Sequence, residues 1–182
     1  MKLIALDLDG TLLNSDKVVS QRNFAALSRA AEQGHVIVPA TGRALRAIPE
    51  QVMAFPFLHN AITINGAKVS DTRSGAVFLR AEIAAAFPEI LVTSSFRNNL
   101  ELNAADADKG RALLALAQHL GIPAADTIAF GDSSNDLRML RAAGTSVAMG
   151  NAAPEVRAVC DCVTETNDRD GVAAFLHAHV LR

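Results

Sequence analysis

The sequence predicts an α/β fold built on a parallel sheet, and three observations carry that prediction. Short, near-continuously apolar runs recur at residues 2–6, 36–40, 61–64, 127–130 and 146–149, as expected of strands covered on both faces. Between them lie stretches with helical spacing and recognisable caps, and such alternation means a sheet of parallel strands with helices packed on it. A chain of 182 residues, half of them apolar, is long enough for one well-buried domain with a small insertion.

The elements follow in order. The first strand, within "KLIAL", runs straight into Asp7, and Gly10-Thr11 follow Asp9 before any linker. Ser20 is placed to cap a helix carrying Phe24 and Leu27 and ending at Gly34. "VIVPA" at 36–40 is the second strand, residues 43–54 fit a helix kinked at Pro49, and "AITI" at 61–64 is the third strand. Residues 81–104 break the rhythm: "AEIAAAFPEI" fits a short helix, and "LVTSS" with "NLELN" fit two strands joined by polar "FRN", together a small αββ insertion. Asp108 then caps a helix carrying Leu113, Leu116 and Leu120 that ends at Gly121 before Pro123. "TIAF", a helix over 134–143, "SVAM" and a helix over 170–180 complete the chain.

Composition narrows the function. Seventeen basic against nineteen acidic residues give a net charge of −2, which fits neither a basic nucleic-acid surface nor an acidic tail, so a small-molecule partner is expected. No long apolar segment or cleavage-site pattern opens the chain, and a cytoplasmic protein with no membrane partner is expected. Cys160 and Cys162, the two cysteines, have poor spacing for a mutual disulfide and are too few for a zinc site, which leaves buried apolar thiols.

In an open parallel sheet, ligands sit beyond the carboxyl ends of the strands. The residues after each predicted strand therefore belong together: Asp7 and Asp9, then Thr41-Gly42-Arg43, then Asn65-Gly66, then Gly131-Asp132-Ser133-Ser134-Asn135-Asp136, with Lys109 opening the helix before the fourth strand. An Asp and Gly at a strand end are also ordinary turn chemistry. Several carboxylates at one edge, however, repel one another unless a cation intervenes. With oxygen ligands and no His or Cys nearby, Mg²⁺ is the natural choice, and Lys109, the Thr41 hydroxyl and the N–H groups around Gly10 and Gly42 are placed to hold phosphate oxygens.

"DLDGT" at 7–11, "ATGR" at 40–43, Lys109 in "DADKG" and "GDSSND" at 131–136 resemble the four motifs of the haloacid dehalogenase superfamily. "ITINGA" at 62–67, "GDSSNDLRML" and "VAMGNA" at 147–152 are similar to its Cof-type (subfamily IIB) sugar-phosphate phosphatases. The resemblance implies a three-layer Rossmann-like sheet, with residues 1–80 and 105–182 as the hydrolase core and 81–104 as a vestigial αββ cap. It also implies a Mg²⁺-dependent phosphomonoesterase acting on small phosphorylated metabolites, sugar phosphates above all. Asp7 would be the nucleophile that becomes an aspartyl phosphate, and Asp9 would protonate the leaving oxygen and then activate water. Thr41 and Lys109 would bind the transferring phosphoryl group, with Gly10, Gly42, Arg43, Asn65, Gly66 and Asn135 lining the phosphate and substrate site. The metal would be held by Asp7, the Asp9 backbone carbonyl, Asp132 and Asp136, with Asp136 and Asn135 steadying the metal and Lys109.

The chain departs from the Cof-type pattern in its insertion, far shorter than the α/β cap those proteins carry, so turnover is expected to survive while selectivity falls. With no Trp or Tyr, Phe96 and Arg97 are the contacts the insertion could offer a sugar. Phe55, Phe57, Phe78, Phe87 and Phe96 cluster in or beside it, as a minor hydrophobic core or as a homo-oligomer interface. Asn151 is expected to brace the loop near Asp132, and His177 and His179 to lie on the surface. Three other readings compete. A phosphoaspartate switch would have its acidic pair before the acceptor Asp. A calcium loop would need a closing Glu where Val18 stands. A non-catalytic binding domain left by cap loss would be expected to have lost motif residues.

Overall fold

The computed structural model describes residues 1–66, 68–72, 77–80, 90–93, 101–104 and 108–181. In chain order the elements are β1 (Leu3–Leu6), α1 (Gln21–Glu32), β2 (Val36–Pro39), α2 (Glu50–Met53), β3 (Asn60–Thr63), β4 (Lys68–Asp71), β5 (Val77–Arg80), β6 (Ile90–Thr93) and β7 (Glu101–Ala104). There follow α3 (Lys109–His119), β8 (Thr127–Gly131), α4 (Leu137–Ala142), β9 (Thr145–Ala148), α5 (Pro154–Arg157), β10 (Cys162–Val163) and α6 (Gly171–His179).

Five strands form a parallel sheet in the order β10-β9-β8-β1-β2. β1 lies inside it, with Leu3 opposite Val36 on one side and Thr127 on the other, and all four of its residues are buried. The step from β1 to β2 runs one way across the sheet and the step from β8 to β9 the other. Right-handed crossovers therefore put the intervening helices on opposite faces, which gives the expected three layers. α1 packs on α6 and α3 on α4. Asn23 of α1 ties the first pair together by accepting the Ala173 N–H at 2.9 Å, while its Nδ2, buried as well, has no hydrogen-bond partner among the described residues.

β3 extends the sheet by a single parallel bridge, Ala40 to Ile62, and then starts a separate antiparallel sheet with β4 and β5. The sequence reading placed no hairpin at β4 and β5. The predicted strands of the insertion are present as β6 and β7, paired antiparallel from Ile90–Ala104 to Thr93–Glu101. The helix expected over most of 81–90, with Phe87, Phe96 and Arg97, lies outside the described residues.

Other expectations change in detail. Pro49 does not kink a continuous helix: it separates a 3-10 turn over Leu45–Ala47 from the short α2, because proline has no N–H to carry the ladder through. The 134–143 segment likewise starts as a 3-10 turn, Ser134–Asp136, before α4. Phe55 and Phe57 stack on Phe24 of α1, with ring centroids 4.9 and 6.0 Å from it, so these two belong to the core surface. Cys160 and Cys162 are half-buried free thiols rather than core residues, and β10, which carries Cys162, is a sheet-edge strand the sequence reading did not place. His177 and His179 are exposed as expected, His179 lying against Phe175.

Candidate active site

β1 delivers Asp7 to the sheet edge with only 5 % of its surface exposed. The chain then turns at Gly10, where φ is +84° and a Cβ would stand 2.4 Å from Asp132 Oδ2, so both the backbone conformation and the approach of Asp132 require glycine. β8 ends at Gly131 and the 132–136 turn folds back on itself, Asp136 Oδ2 accepting the N–H groups of Asp132 (3.1 Å) and Ser133 (3.2 Å). Ser133 Oγ also donates to Asn135 Oδ1.

Lys109 arrives on the first residue of α3, which Asp108 caps by accepting from Gly110 N at 2.7 Å and Arg111 N at 3.3 Å. The lysine is 1 % exposed, and its Nζ donates to Asp7 Oδ1 at 2.9 Å and Asp136 Oδ1 at 2.6 Å. Burial alone would lower its proton affinity, but Asp136 and Asp7 outweigh burial and hold it above its ordinary value. The carboxylates carry the opposite strain. Burial pushes Asp7 up to about 8, with the charge of Asp136 adding and Lys109 opposing. Burial and the same neighbour push Asp132 up to about 6.

Asp7, Asp132 and Asp136 each present an oxygen within 4.8 Å of the others. One lysine does not balance three carboxylates so placed, and an all-oxygen donor set of this kind fits a hard divalent cation. Asp136 spends its oxygens on Lys109 and two backbone N–H groups, which makes Asp7 and Asp132 the more available pair.

Asp9 faces elsewhere. Its carboxylate is gripped by Arg43, Nε to Oδ2 at 2.7 Å and Nη2 to Oδ1 at 2.9 Å, and is joined by Lys17 Nζ at 3.2 Å. The Arg43 hydrogen bond, against a smaller cost of burial, holds Asp9 below the ordinary carboxylate value, and Lys17 adds to it. Arg43 N in turn donates to the Oγ1 of buried Thr41 at 3.2 Å.

A cleft of about 480 Å³ brings together Asp7, Asp9, Gly10, Thr41, Gly42, Arg43, Asp132 and Asn135 of the predicted residues. Lys109 and Asp136 stand behind this wall, enclosed. Asn65 and Gly66, expected to line the phosphate site, do not line the cleft. The Asn65 N–H donates to Thr41 O at 3.1 Å and its Oδ1 accepts from Asn135 Nδ2 at 3.4 Å, while Gly66 (φ +97°) passes so close to α3 that a Cβ would lie 2.3 Å from the Asp108 carbonyl carbon. They support the loop that bears Thr41 and the start of α3.

Ser133, which the sequence places beyond the fourth strand, also lines the cleft, as do Asn14, Ser15, Lys17 and Asn167, which the sequence reading did not assign. "NSDK" has turn composition, which signals a loop but not its direction. Asn151 braces Gly10, whose carbonyl its Nδ2 reaches at 2.8 Å, and the Asn167 N–H donates to its Oδ1 at 3.0 Å; the expected contact near Asp132 is made instead by the Ala153 backbone.

Fold and site together define an α/β protein with a carboxylate cluster, suited to a hard divalent cation, at the carboxyl edge of a parallel sheet. The haloacid dehalogenase-like hydrolase family model matches the chain over residues 4–86 and 75–176, and the chain belongs to that family. Among relatives, the 5-amino-6-(5-phospho-D-ribitylamino)uracil phosphatase YcsE of Bacillus subtilis is 29% identical over 240 residues, covering 100% of this chain and 96% of that protein. The phosphoglycolate phosphatase of Methanothermobacter thermautotrophicus is 28% identical, covering 95% of this chain and 96% of that protein. The match to the phosphatase YwpJ of Bacillus subtilis is 49% identical over 93 residues and spans 51% of this chain but 32% of that protein.

Among solved structures, a haloalkanoate (HAD) superfamily phosphatase from Bacteroides thetaiotaomicron superposes with a TM-score of 0.89 at 25% identity, covering 98% of this chain and 94% of that one. A haloacid dehalogenase-like hydrolase from B. subtilis gives 0.87 at 28% identity, covering 100% of both. The chain is a phosphatase of this family, with a shortened cap. The YcsE alignment is 240 positions long against 182 residues here, a difference of 58, and the two family-model segments overlap at 75–86, just before and into the short insertion. No helix among the described residues is long and apolar enough to cross a membrane.

Proposed function

We propose that this phosphatase hydrolyses small phosphomonoesters, sugar phosphates among them, through an aspartyl phosphate on Asp7, with Mg²⁺ as its cation. The observation that supports this reading most is the buried cluster of Asp7, Asp132 and Asp136 around Lys109. Bound there, the cation would neutralise the carboxylates and draw a phosphoryl oxygen toward Asp7. Asp7 and Asp132 would hold it with the Asp9 backbone carbonyl, while Asp136 steadies Lys109 and the 132–136 turn.

Asp7 attacks phosphorus, and Lys109, fixed by Asp136, keeps its carboxylate aimed. Thr41 and the backbone around Gly10 and Gly42 receive the equatorial oxygens. Asp9 gives its proton to the leaving oxygen and then takes one from the attacking water. In the geometry described, Asp9 is ionised against Arg43, so Arg43 must first pass to the incoming phosphoryl group, beside which its N–H already bonds Thr41, and Asp9 must take up a proton from solvent before it gives one to the leaving oxygen. Residues 1–80 and 105–182 form the core in this reading, and 81–104 a vestigial cap.

Hydrolysis of an aryl phosphate with and without Mg²⁺, in the parent and in Asp7→Asn, tests the proposal. Metal-dependent release that falls by roughly a thousandfold or more in the variant is expected. Release that survives in Asp7→Asn would remove Asp7 as nucleophile. A stable phosphoprotein without turnover would indicate a switch instead.

A further inference from the structure

One wall of the cleft, formed by Asn14, Ser15, Lys17 and Asn167, has no step in the phosphoryl transfer, although Lys17 pairs with Asp9. The turn that carries Lys17 is tightly tied. Lys17 has φ +61°, a left-handed backbone that costs a lysine energy and persists where surrounding contacts impose it. Those contacts are present: Lys17 N donates to Asn14 O at 2.9 Å, Asn14 N to Val18 O at 3.0 Å, and Val18 N to Asn14 Oδ1 at 2.9 Å. Gln51 Nε2 donates to Lys17 O at 2.8 Å. On the far side Ser15 is fastened to Asp168 through its N–H (2.8 Å) and hydroxyl (2.7 Å), and Asn167 Nδ2 donates to Leu13 O at 3.1 Å. The result is a lysine whose ammonium reaches Asp9 Oδ1 while its side chain keeps 55 % exposure at the mouth of the cleft.

Resting on the phosphatase reading, we propose that Lys17 is a specificity-determining residue that favours phosphomonoesters whose leaving group carries a second anionic oxygen group, a carboxylate or a phosphate. Lys17 and Arg43 converge on the Asp9 carboxylate from different loops, so two cations meet at this corner of the cleft. Asp168, behind the turn, and Asp16, on it, do not line the cleft. Arg43 adjoins Thr41 and the phosphoryl position, whereas Lys17 comes from the 14–18 turn and keeps its side chain more exposed than that of Arg43. The cleft wall it belongs to is polar throughout and offers no ring for stacking a sugar. With the cap shortened, the core turn takes over a share of leaving-group recognition.

The test compares kcat/KM in Mg²⁺ for three probes of like size: phosphoglycolate, ethylene glycol bisphosphate and ethyl phosphate, the last with a neutral leaving group. The parent is expected to prefer the two anionic probes by roughly tenfold, the worth of one charge-assisted hydrogen bond. Lys17→Met should erase that preference, mainly through KM, over and above any change common to all three probes through Asp9, and Lys17→Arg should restore it. A preference for one anionic probe alone identifies which group the ammonium takes. An equal loss on all three probes overturns the proposal and confines Lys17 to setting Asp9, and a parent without preference overturns it as well. Should the parent hydrolyse none of the three, the phosphatase reading fails separately. The thermal shift of parent and Lys17→Met with each probe then decides, a Lys17-dependent excess for the anionic probes being the supporting result and its absence the refuting one.

Discussion

Lys109 is a cation sealed from water between two carboxylates, and that placement makes it a structural part as much as a chemical one. Replacing it with Met leaves Asp7 and Asp136 facing each other in a buried site, so Lys109→Met is expected to cost about 3–5 kcal/mol in a denaturant titration. Gly10 makes a subtler case. Gly10→Ala would press a methyl onto Asp132 and strain a positive φ, and a shift of that carboxylate by an ångström should lower the Mg²⁺-dependent rate by roughly a hundredfold. A steady-state metal titration of this variant should show a weaker apparent metal affinity. Asp7, Thr41 and Asp132 were legible in the sequence because each stands just past an apolar strand, with Asp9 two residues beyond Asp7, and strand ends in such sheets point to one edge. Lys17 and Asn167 were not, because their direction depends on ties such as Ser15 to Asp168 that join loops 153 residues apart.

Among elements, α3 links local sequence to chemistry most directly. Its cap, Asp108, precedes Lys109 by one residue, so Asp108→Ala should lower stability by about 1 kcal/mol, read from the denaturation midpoint. It should also lower kcat more than it raises KM, since the first turn that fraying loosens is the one holding Lys109. Both long helices with polar caps, α1 at Ser20 and α3 at Asp108, were visible in the sequence for the same reason: cap, periodic stripe and terminal glycine agree. Pro49 misled because a helical pattern either side of a proline fits a kinked helix and two short ones equally. β4 and β5, four residues each, and β10, two residues, are too brief for alternation to declare itself, and they exist because a neighbouring strand supplies their hydrogen bonds.

For the whole molecule, the acidic cluster couples stability to pH and metal. Asp7 and Asp132 bind protons more tightly when folded than when unfolded, so between the ordinary value of 3.8 and about 8 the folded chain without metal holds the extra protons. Its stability should therefore fall as pH rises through that window. A cation replaces those protons, so Mg²⁺ should raise the melting temperature more at pH 8 than at pH 5, and chelation should reverse the gain. Scanning calorimetry at the two pH values checks both statements; an equal shift at each would detach the carboxylates from metal binding.

The central position of β1 has a consequence for the chain as it leaves the ribosome. One neighbour, β2, follows within the same stretch of nascent polypeptide, but the other, β8, begins at Thr127, and the lysine that meets Asp7 lies 102 residues downstream. The Asp7 carboxylate thus waits, without its lysine, until those 102 residues have emerged. Closure of the sheet and birth of the active site become one late event, slow in the manner of folds whose contacts are distant in sequence.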